Sequence, residues 1–311
     1  MHHHHGHRHD HPHGHHPSSR VMRSNRAFQI GILLNLGFVL VQATFGFLSN
    51  SLALVADAGH NLSDVLGLLI AWGASWLARR RPTRRYTYGF RRASIFSPLI
   101  NSSVLLGVTG FIALEAVQRF LAPQPVASTT VIVVALVGIV VNGLTALLFH
   151  ADRHSDVNIK GAFLHMAADA LVSLGVVLSG VVIFLTGWQW VDPIASLIIG
   201  AVIALGAWSL LQEALSLALD GVPAQVSLRA IEDYLLNLPG VESIHDLHIW
   251  ALSSTEPALT VHLVMLGDFA ESDLLPQVNH DLHDRFGIEH STIQIEKATS
   301  RPTCLQARCG A

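Results

Sequence analysis

Few residues of this sequence are charged, and only two are cysteines. Asp, Glu, Lys and Arg make up 13% of the 311 residues, whereas 50% are hydrophobic and the mean hydropathy is +0.44. A soluble domain carries about twice that charged fraction, so the composition argues against one. Cys304 and Cys309 lie in a tail that we expect to be cytosolic, where reduced thiols are typical and structural disulfides are not.

Motifs of intramembrane hydrolases are also missing. A zinc peptidase needs His-Glu-x-x-His and a serine hydrolase typically carries Gly-x-Ser-x-Gly, and the sequence contains neither. No cleavable signal peptide is visible, because the first residues are polar and the first apolar run is long enough to span a bilayer. The absence of both hydrolase motifs argues against an enzyme.

Long apolar runs dominate what is present. Six of them are each long enough to cross ~30 Å of hydrocarbon, which predicts a multi-pass membrane domain. They cover Ala27–Phe47, Leu52–Leu77, Ile95–Val117, Val126–Phe149, Ala162–Leu185 and Val191–Leu219.

Basic residues set the expected orientation of these spans. They gather before the first span, between spans two and three, and between spans four and five, so these segments and both termini are predicted to be cytoplasmic. We interpret the arginine-rich loop, residues 79–92, as a topology determinant that contacts anionic lipid rather than nucleic acid. The basic residues are Arg20, Arg23, Arg26, Arg79, Arg80, Arg81, Arg84, Arg85, Arg91, Arg92, Arg153 and Lys160.

The chain divides into four predicted regions. Residues 1–26 form a disordered arm that holds ten of the twenty histidines, in an irregular mixture that favours a native metal-collecting segment over an engineered tag. The membrane domain follows over residues 27–219. Asp220-Gly221-Val222-Pro223 then breaks the helix and opens a soluble domain over residues 220–300, before a loose tail at 301–311.

Periodicity in the soluble region predicts an α+β domain of order α-β-β-α-β. Apolar residues recur at helical spacing in two segments and alternate in three others. The predicted elements are a helix at Ala224–Leu238, strands at Val241–Leu252 and Ala258–Leu266, a helix at Ser272–Phe286 and a strand at Ser291–Ala298.

Two His-x-x-x-Asp pairs inside apolar spans carry the chemistry. His60 and Asp64, like His165 and Asp169, lie one helical turn apart on one face. Ionisable groups at membrane depth are costly, so each pair marks a functional site. Together they offer four N and O ligands, which suits tetrahedral zinc and fits magnesium or calcium poorly. The alternative is that each pair forms a hydrogen bond that only braces its own helix.

A site of this kind couples metal ions to protons. Its ligands must lose protons to bind metal, and the histidine pKa near 6.5 lies close to cytosolic pH. Asp57 lies three residues before His60 on roughly the same face. It can be a ligand, a hydrogen-bonding partner that orients a histidine ligand, or a helix-packing acid, and we favour the orienting role.

Several motifs together resemble the cation diffusion facilitator family, in particular its bacterial zinc, cobalt and cadmium efflux proteins. The motifs are the two pairs in spans two and five, the loop Tyr86–Arg92, the junction Asp220–Pro223, and the segments Ser243–Trp250 and His290–Glu296. The resemblance implies a homodimer, a metallochaperone-like cytosolic domain, and proton-coupled export of Zn²⁺ by alternating access. It assigns the transport site to His60, Asp64, His165 and Asp169.

The resemblance also implies a zinc site in the cytosolic domain, at His245 and His262 with Glu296 and His290 nearby. The alternative is a polar sheet face at a dimer interface. A third family site, in the loop between spans two and three, is predicted to be absent, because Arg79–Arg92 holds no Asp, Glu, His or Cys. Cys304 and Cys309 can capture metal, although ordinary reduced thiols are the simpler interpretation.

The sequence therefore predicts a secondary transporter and not an enzyme. It is expected to move Zn²⁺, with Co²⁺ or Cd²⁺ as further candidates, out of the cytosol in exchange for protons. We expect it as a homodimer in the bilayer of a bacterial inner membrane, without a nucleic-acid partner. A membrane-anchored metal sensor or buffer is the alternative.

Overall fold

The structure is a computed structural model that describes residues 35–150, 157–266 and 271–297, leaving out the side chains of 148–150, 157–162 and 271–273. Eight helices and three strands follow one another in these ranges. They are α1 (Asn35–Leu48), α2 (Leu52–Ala78), α3 (Ala93–Leu121), α4 (Ser128–His150), α5 (Val157–Thr186), α6 (Val191–Ala218), α7 (Leu228–Leu236), β1 (Val241–Ala251), β2 (Pro257–Met265), α8 (Glu271–Phe286) and β3 (His290–Lys297).

The first six helices form the membrane-spanning part. Within the described residues, α2 to α6 are long and apolar enough to cross a membrane, and α1 is a shorter apolar helix. The least hydrophobic of the five long helices is α2, at a mean hydropathy of 1.2, because Asp57, His60 and Asp64 interrupt its apolar sequence. The predicted six spans followed by an α+β domain are confirmed.

The chain divides into two compact units, and the division falls within α2, between Ala58 and Gly59. The first unit contains α1, α4, α5 and the first two turns of α2. Its helices approach closely at Gly138 of α4, where an added Cβ would lie 2.7 Å from the Phe38 ring and 3.0 Å from Ser173 Oγ. Only glycine fits this contact without displacing its neighbours.

A buried carboxylate in the first unit caps the start of α2. Asp192, which is 0% exposed, accepts hydrogen bonds from the Leu52 backbone N–H at 2.7 Å and from Ser51 Oγ at 2.5 Å. The first N–H groups of a helix lack intrahelical partners and carry partial positive charge. Asp192 therefore stabilises the beginning of the helix that carries Asp57.

The second unit contains α3, the C-terminal α+β domain, the part of α2 from Gly59 onward and the part of α6 from Pro193 onward. Within this unit α2 and α3 approach closely at Gly67. A Cβ added to Gly67 would lie 2.8 Å from the Asn101 side-chain amide, so the absence of a side chain leaves room for that amide. One helical turn earlier, Ser63 Oγ donates a hydrogen bond of 3.2 Å to Asn101 Oδ1. These contacts fix α2 against α3 next to Asp64.

The C-terminal domain is a three-stranded sheet of order β1-β2-β3, with β1 antiparallel and β3 parallel to β2. Its strands and α8 begin and end within one residue of the predicted bounds. The helix α7 begins four residues later than predicted, because Ser227 caps it by accepting from the Ala230 N–H. The core residues are Val226, Ile231, Leu235, Leu238, Ile249, Leu259, Val261, Leu263, Met265, Val278, Leu282 and Ile288.

Several predicted features lie outside the described residues. They are the histidine-rich arm at 1–26, the tail at 301–311 with Cys304 and Cys309, and Arg153. The side chain of Lys160 is also outside them.

Candidate metal sites

The first membrane pair lies in the middle of α2, within the second unit. His60 Nε2 is 3.6 Å from Asp64 Oδ2, and the side chains are 18% and 21% exposed. The helix places both side chains on one face because four residues make about one turn. The predicted first half of the transport site is thus two mostly buried ligand groups.

The second pair lies in α5, within the first unit, and repeats this geometry. His165 Nε2 is 3.7 Å from Asp169 Oδ2. The Asp169 side chain is only 1% exposed, whereas that of His165 is 41% exposed. A carboxylate buried this deeply in an apolar helix is costly unless it binds a cation or a proton.

The separation within each pair suits a bridging ion better than a direct hydrogen bond. Distances of 3.6 and 3.7 Å exceed the 2.7–3.2 Å range of an N–H···O bond. Two ligands of a tetrahedral zinc ion, each about 2.1 Å from the metal, lie about 3.4 Å apart. The metal site stays a prediction, and a His–Asp bond that only braces its helix stays its alternative.

Asp57 contacts side chains of two other helices. This side chain is 0% exposed, and its Oδ2 atom accepts hydrogen bonds from Gln42 Nε2 at 2.5 Å and Ser173 Oγ at 3.1 Å. Its partners belong to α1 and α5, so Asp57 joins three helices of the first unit. These contacts fit the helix-packing interpretation, and the role in orienting His60 stays a prediction.

A third group of ligands lies in the C-terminal domain. His245 of β1 stands opposite His262 of β2 in the antiparallel register, and their ring centroids are 4.8 Å apart. Glu296 of β3 reaches both, at 2.7 Å to His262 Nδ1 and 3.3 Å to His245 Nε2. One ligand atom from each residue lies within 4.8 Å of the other two. The sequence prediction of these three residues as neighbours is consistent with this geometry.

The electrostatics of this group suit a cation. The hydrogen bond from His262 lowers the pKa of Glu296 below its ordinary value, burial acts in the opposite direction, and the hydrogen bond from His245 lowers it further. Glu296 is therefore ionised at neutral pH and available as a ligand. His245 Nδ1 is buried without a hydrogen-bond partner among the described residues. Three N and O ligands with an open position fit zinc.

His290, the fourth predicted ligand, lies elsewhere. It begins β3, six residues before Glu296, and an extended strand of that length spans about 20 Å. Its Nε2 atom is 3.1 Å from Arg91 Nη1, and its ring packs edge-on against Tyr88. Within one chain, His290 does not join His245 and His262.

Two arginines of the loop before α3 have partners that the sequence did not reveal. Arg91 forms an ion pair of 2.9 Å with Glu256, in the turn between β1 and β2. Arg92 forms an ion pair with Asp220, at the start of the soluble region. Both carboxylates are more than 120 residues away, and no local pattern marks such pairs.

Comparison with known proteins agrees with this architecture. The family model of the cation efflux transmembrane domain matches residues 28–217, and that of the cation efflux protein cytoplasmic domain matches 223–298. The chain is 38% identical over 278 residues to the metal cation efflux system protein CzcD of Cupriavidus metallidurans, covering 88% of this chain and 87% of that protein. It is 35% identical over 284 residues to the zinc transporter ZitB of Pectobacterium atrosepticum, covering 91% and 88%.

Two further matches complete the comparison. A Bacillus subtilis protein, named as a cadmium, cobalt and zinc/H(+)-K(+) antiporter, is 34% identical over 278 residues, covering 88% of this chain and 89% of its own. Among solved structures, the metal-bound C-terminal domain of the CzcD transporter is 47% identical over 23% of this chain and 99% of its own, with a TM-score of 0.21. The chain belongs to the cation efflux family, the cation diffusion facilitators.

Proposed function

We propose that this protein exports Zn²⁺ from the cytosol in exchange for protons, with His60, Asp64, His165 and Asp169 as one transport site. The observation that carries the proposal is the spacing of 3.6 and 3.7 Å within the two pairs, close to the separation of ligands on tetrahedral zinc. A sensor anchored by its helices would not need such carboxylates in two apolar spans. The names of ZitB and CzcD as zinc and metal cation transporters support the choice of cargo.

Proton exchange follows from the chemistry of these ligands. Imidazole and carboxylate bind metal only when deprotonated, so zinc uptake on one side releases protons and zinc release on the other side takes them up. Alternate opening of the helices to the two sides then gives antiport. The antiporter name of the Bacillus subtilis relative supports this coupling. Co²⁺ and Cd²⁺, which that name also mentions, are further candidate cargoes.

A resident zinc ion in the cytoplasmic domain would be held by His245, His262 and Glu296. It would join the three strands, because each strand supplies one of these ligands. Metal that binds one conformation better than another shifts the balance between them. The matched cytoplasmic-domain model is named for dimerisation, which supports a homodimer.

The proposed setting is a bacterial inner membrane with both termini in the cytosol. The arginines of residues 79–92 favour a cytosolic position of that loop. All three relatives described above are bacterial, which supports the choice of membrane.

Uptake of ⁶⁵Zn²⁺ into proteoliposomes, with and without a pH gradient, tests the proposal. The wild-type protein is expected to show gradient-stimulated flux, and Asp64→Ala and Asp169→Ala are each expected to lower it by about tenfold or more through loss of a ligand. Glu213→Ala removes an exposed carboxylate from α6 and serves as the matched control. Normal flux in Asp64→Ala would refute the site, and zinc binding without wild-type flux would favour the sensor.

A further inference from the structure

One buried side chain of the first unit takes no part in the contacts described above. Asn142 lies on α4 and is 0% exposed. Neither its Oδ1 atom nor its Nδ2 atom has a hydrogen-bond partner among the described residues. Because buried polar groups are nearly always hydrogen-bonded, an amide without a partner in an apolar helix needs an explanation.

The packing of α4 against α5 shows which residues Asn142 can meet. A Cβ added to Gly138 of α4 would lie 3.0 Å from Ser173 Oγ of α5. A Cβ added to Gly180 of α5 would lie 2.8 Å from Ile132 Cγ1 of α4. From the first contact to the second, α4 goes back from 138 to 132 while α5 advances from 173 to 180, so the two helices pack in antiparallel directions.

Extending this alignment by one turn brings Asn142 opposite Asp169. Asn142 lies four residues after Gly138 on α4. Asp169 lies four residues before Ser173 on α5, so both lie about 6 Å beyond the Gly138 contact in the same direction. A step of four residues keeps each side chain on the helix face that makes the contact. The Asn142 amide and the Asp169 carboxylate, which is 1% exposed, therefore lie at one level of the buried surface between α4 and α5.

The neighbouring turn shows how a polar side chain at this surface serves packing alone. Ser173 Oγ donates a hydrogen bond of 3.1 Å to Asp57 Oδ2, which also accepts from Gln42 Nε2. Ser173 thus braces the helices through a partner, whereas Asn142 has no hydrogen-bond partner among the described residues. An amide of this kind fits a hydrogen bond that forms only when the neighbouring carboxylate binds its ion.

We propose that Asn142 is a positioning residue of the transport site, and that its amide N–H donates a hydrogen bond to the Asp169 carboxylate when that carboxylate holds the cation. The inference rests on the proposed function, because it takes Asp169 as a ligand. A ligating carboxylate is usually hydrogen-bonded itself, which keeps its other oxygen directed at the metal. The amide of asparagine offers two N–H donors without a positive charge that would repel the cation.

The zinc dependence of ⁶⁵Zn²⁺ uptake into proteoliposomes, at a fixed pH gradient, tests this proposal. Asn142→Leu replaces the amide with an apolar group of similar size, and it is expected to raise the KM for zinc by about tenfold or more. In an Asp169→Ala background the same change should alter the ratio of maximal flux to KM by less than about twofold, because the acceptor is already missing. A purely structural effect would instead be equal in both backgrounds.

A matched control comes from the same pair of helices. Ser179 of α5 is 5% exposed, and its Oγ atom is also buried without a hydrogen-bond partner among the described residues, ten residues beyond Asp169. Ser179→Ala is therefore expected to leave the KM unchanged. Thermal unfolding in detergent without zinc should not start at a lower temperature in Asn142→Leu, because an apolar group replaces an amide that lacks a partner.

The outcomes separate this proposal from the proposed function. A wild-type KM in Asn142→Leu, together with reduced flux in Asp169→Ala, would overturn the role of Asn142 and leave the transport site in place. Equal losses from Asn142→Leu in the two backgrounds would overturn it as well. Normal flux in Asp169→Ala would refute both, since Asn142 would then have no ligand to position.

Discussion

Arg91 Nη1 lies 2.9 Å from Glu256 Oε2, and this ion pair joins the loop before α3 to the turn between β1 and β2. In the same place, Ser94 Oγ accepts a hydrogen bond of 3.0 Å from the Ser254 backbone N–H. The start of a membrane-spanning helix is thus tied directly to the sheet that carries His245 and His262. A shift of that sheet would reach α3 directly through these two contacts.

Reversing the charge of Arg91 should loosen this junction. The partners are 33% and 35% exposed, so Arg91→Glu is expected to cost about 1 kcal/mol or less, and to speed amide hydrogen exchange in residues 252–257. Arg91→Glu combined with Glu256→Arg should restore slow exchange, because the pair is re-formed with opposite polarity. Arg84→Glu, an exposed change in the same loop, is the control. Equal exchange rates in the wild type, the two Arg91 variants and the control would show that the ion pair does not stabilise this junction.

Removal of the Asp57 carboxylate should destabilise the first unit. Asp57→Ala leaves the buried donors Gln42 and Ser173 without this acceptor, which is expected to cost about 1–3 kcal/mol. Asp57→Asn keeps an acceptor oxygen and should cost less. Detergent unfolding curves measure both. If Asp57 acts only by orienting a metal ligand, zinc binding will fall in both variants while the unfolding curves stay at the wild-type position.

Loss of the Asp192 carboxylate should unravel the first turn of α2. Asp192→Ala removes the acceptor for the Leu52 N–H and is expected to cost about 1–2 kcal/mol, as for loss of a helix cap. Hydrogen exchange of residues 51–56 should quicken, while exchange in β2 stays unchanged. Asp192→Asn retains an acceptor oxygen, so its exchange rate should lie between those of the wild type and Asp192→Ala. Uniformly faster exchange throughout the chain would instead indicate global destabilisation.

The stabilising effect of Glu296 should depend on pH. Its pKa is lowered in the folded protein, chiefly by the hydrogen bond from His262, so the folded state binds fewer protons than the unfolded state in the acid range. The stabilisation is therefore full above the ordinary pKa of about 4.3 and is lost as pH falls through the folded value. In metal-free protein, Glu296→Gln should speed exchange of β3 amides at pH 6, and the difference should shrink below about pH 4. A difference that grows on acidification would contradict this origin.

His262 and His290 should behave differently toward zinc. His262→Ala removes a member of the group that includes Glu296 and is expected to weaken zinc binding there by about tenfold or more. His290→Ala should leave that affinity unchanged, because His290 contacts Arg91 instead. Zinc titration monitored by protection of His245 from diethylpyrocarbonate compares the two. A matching loss in His290→Ala would mean that His290 reaches the site, for example from the partner subunit.

Patterns confined to one helix or strand could be read directly from the sequence. The spans, the α-β-β-α-β order and the pairing of His60 with Asp64 all follow from local periodicity. The family resemblance grouped His262 with Glu296, and the sheet brings them together. His290 was grouped with them through the family resemblance, although its distance along β3 separates them.

Contacts between distant segments could not be read in this way. Asp192 and Leu52 are 140 residues apart, and nothing near either marks the cap. The arginines of residues 79–92 were interpreted as a topology determinant, and that interpretation did not predict the specific partners of Arg91 and Arg92. Asp57 accepts hydrogen bonds from α1 and α5, which its position three residues before His60 does not predict. Such choices depend on which helices meet, which a single sequence does not reveal.

The central claim is that the two membrane pairs act as one zinc site, and counting bound ions tests it most directly. Equilibrium dialysis with ⁶⁵Zn²⁺ compares the wild type, Asp64→Ala, Asp169→Ala and the double variant, so that zinc bound elsewhere cancels in the differences. The account predicts that each single variant loses one ion per chain and that the double variant loses the same single ion. Loss of two ions in the double variant, or of none in either single variant, would contradict it.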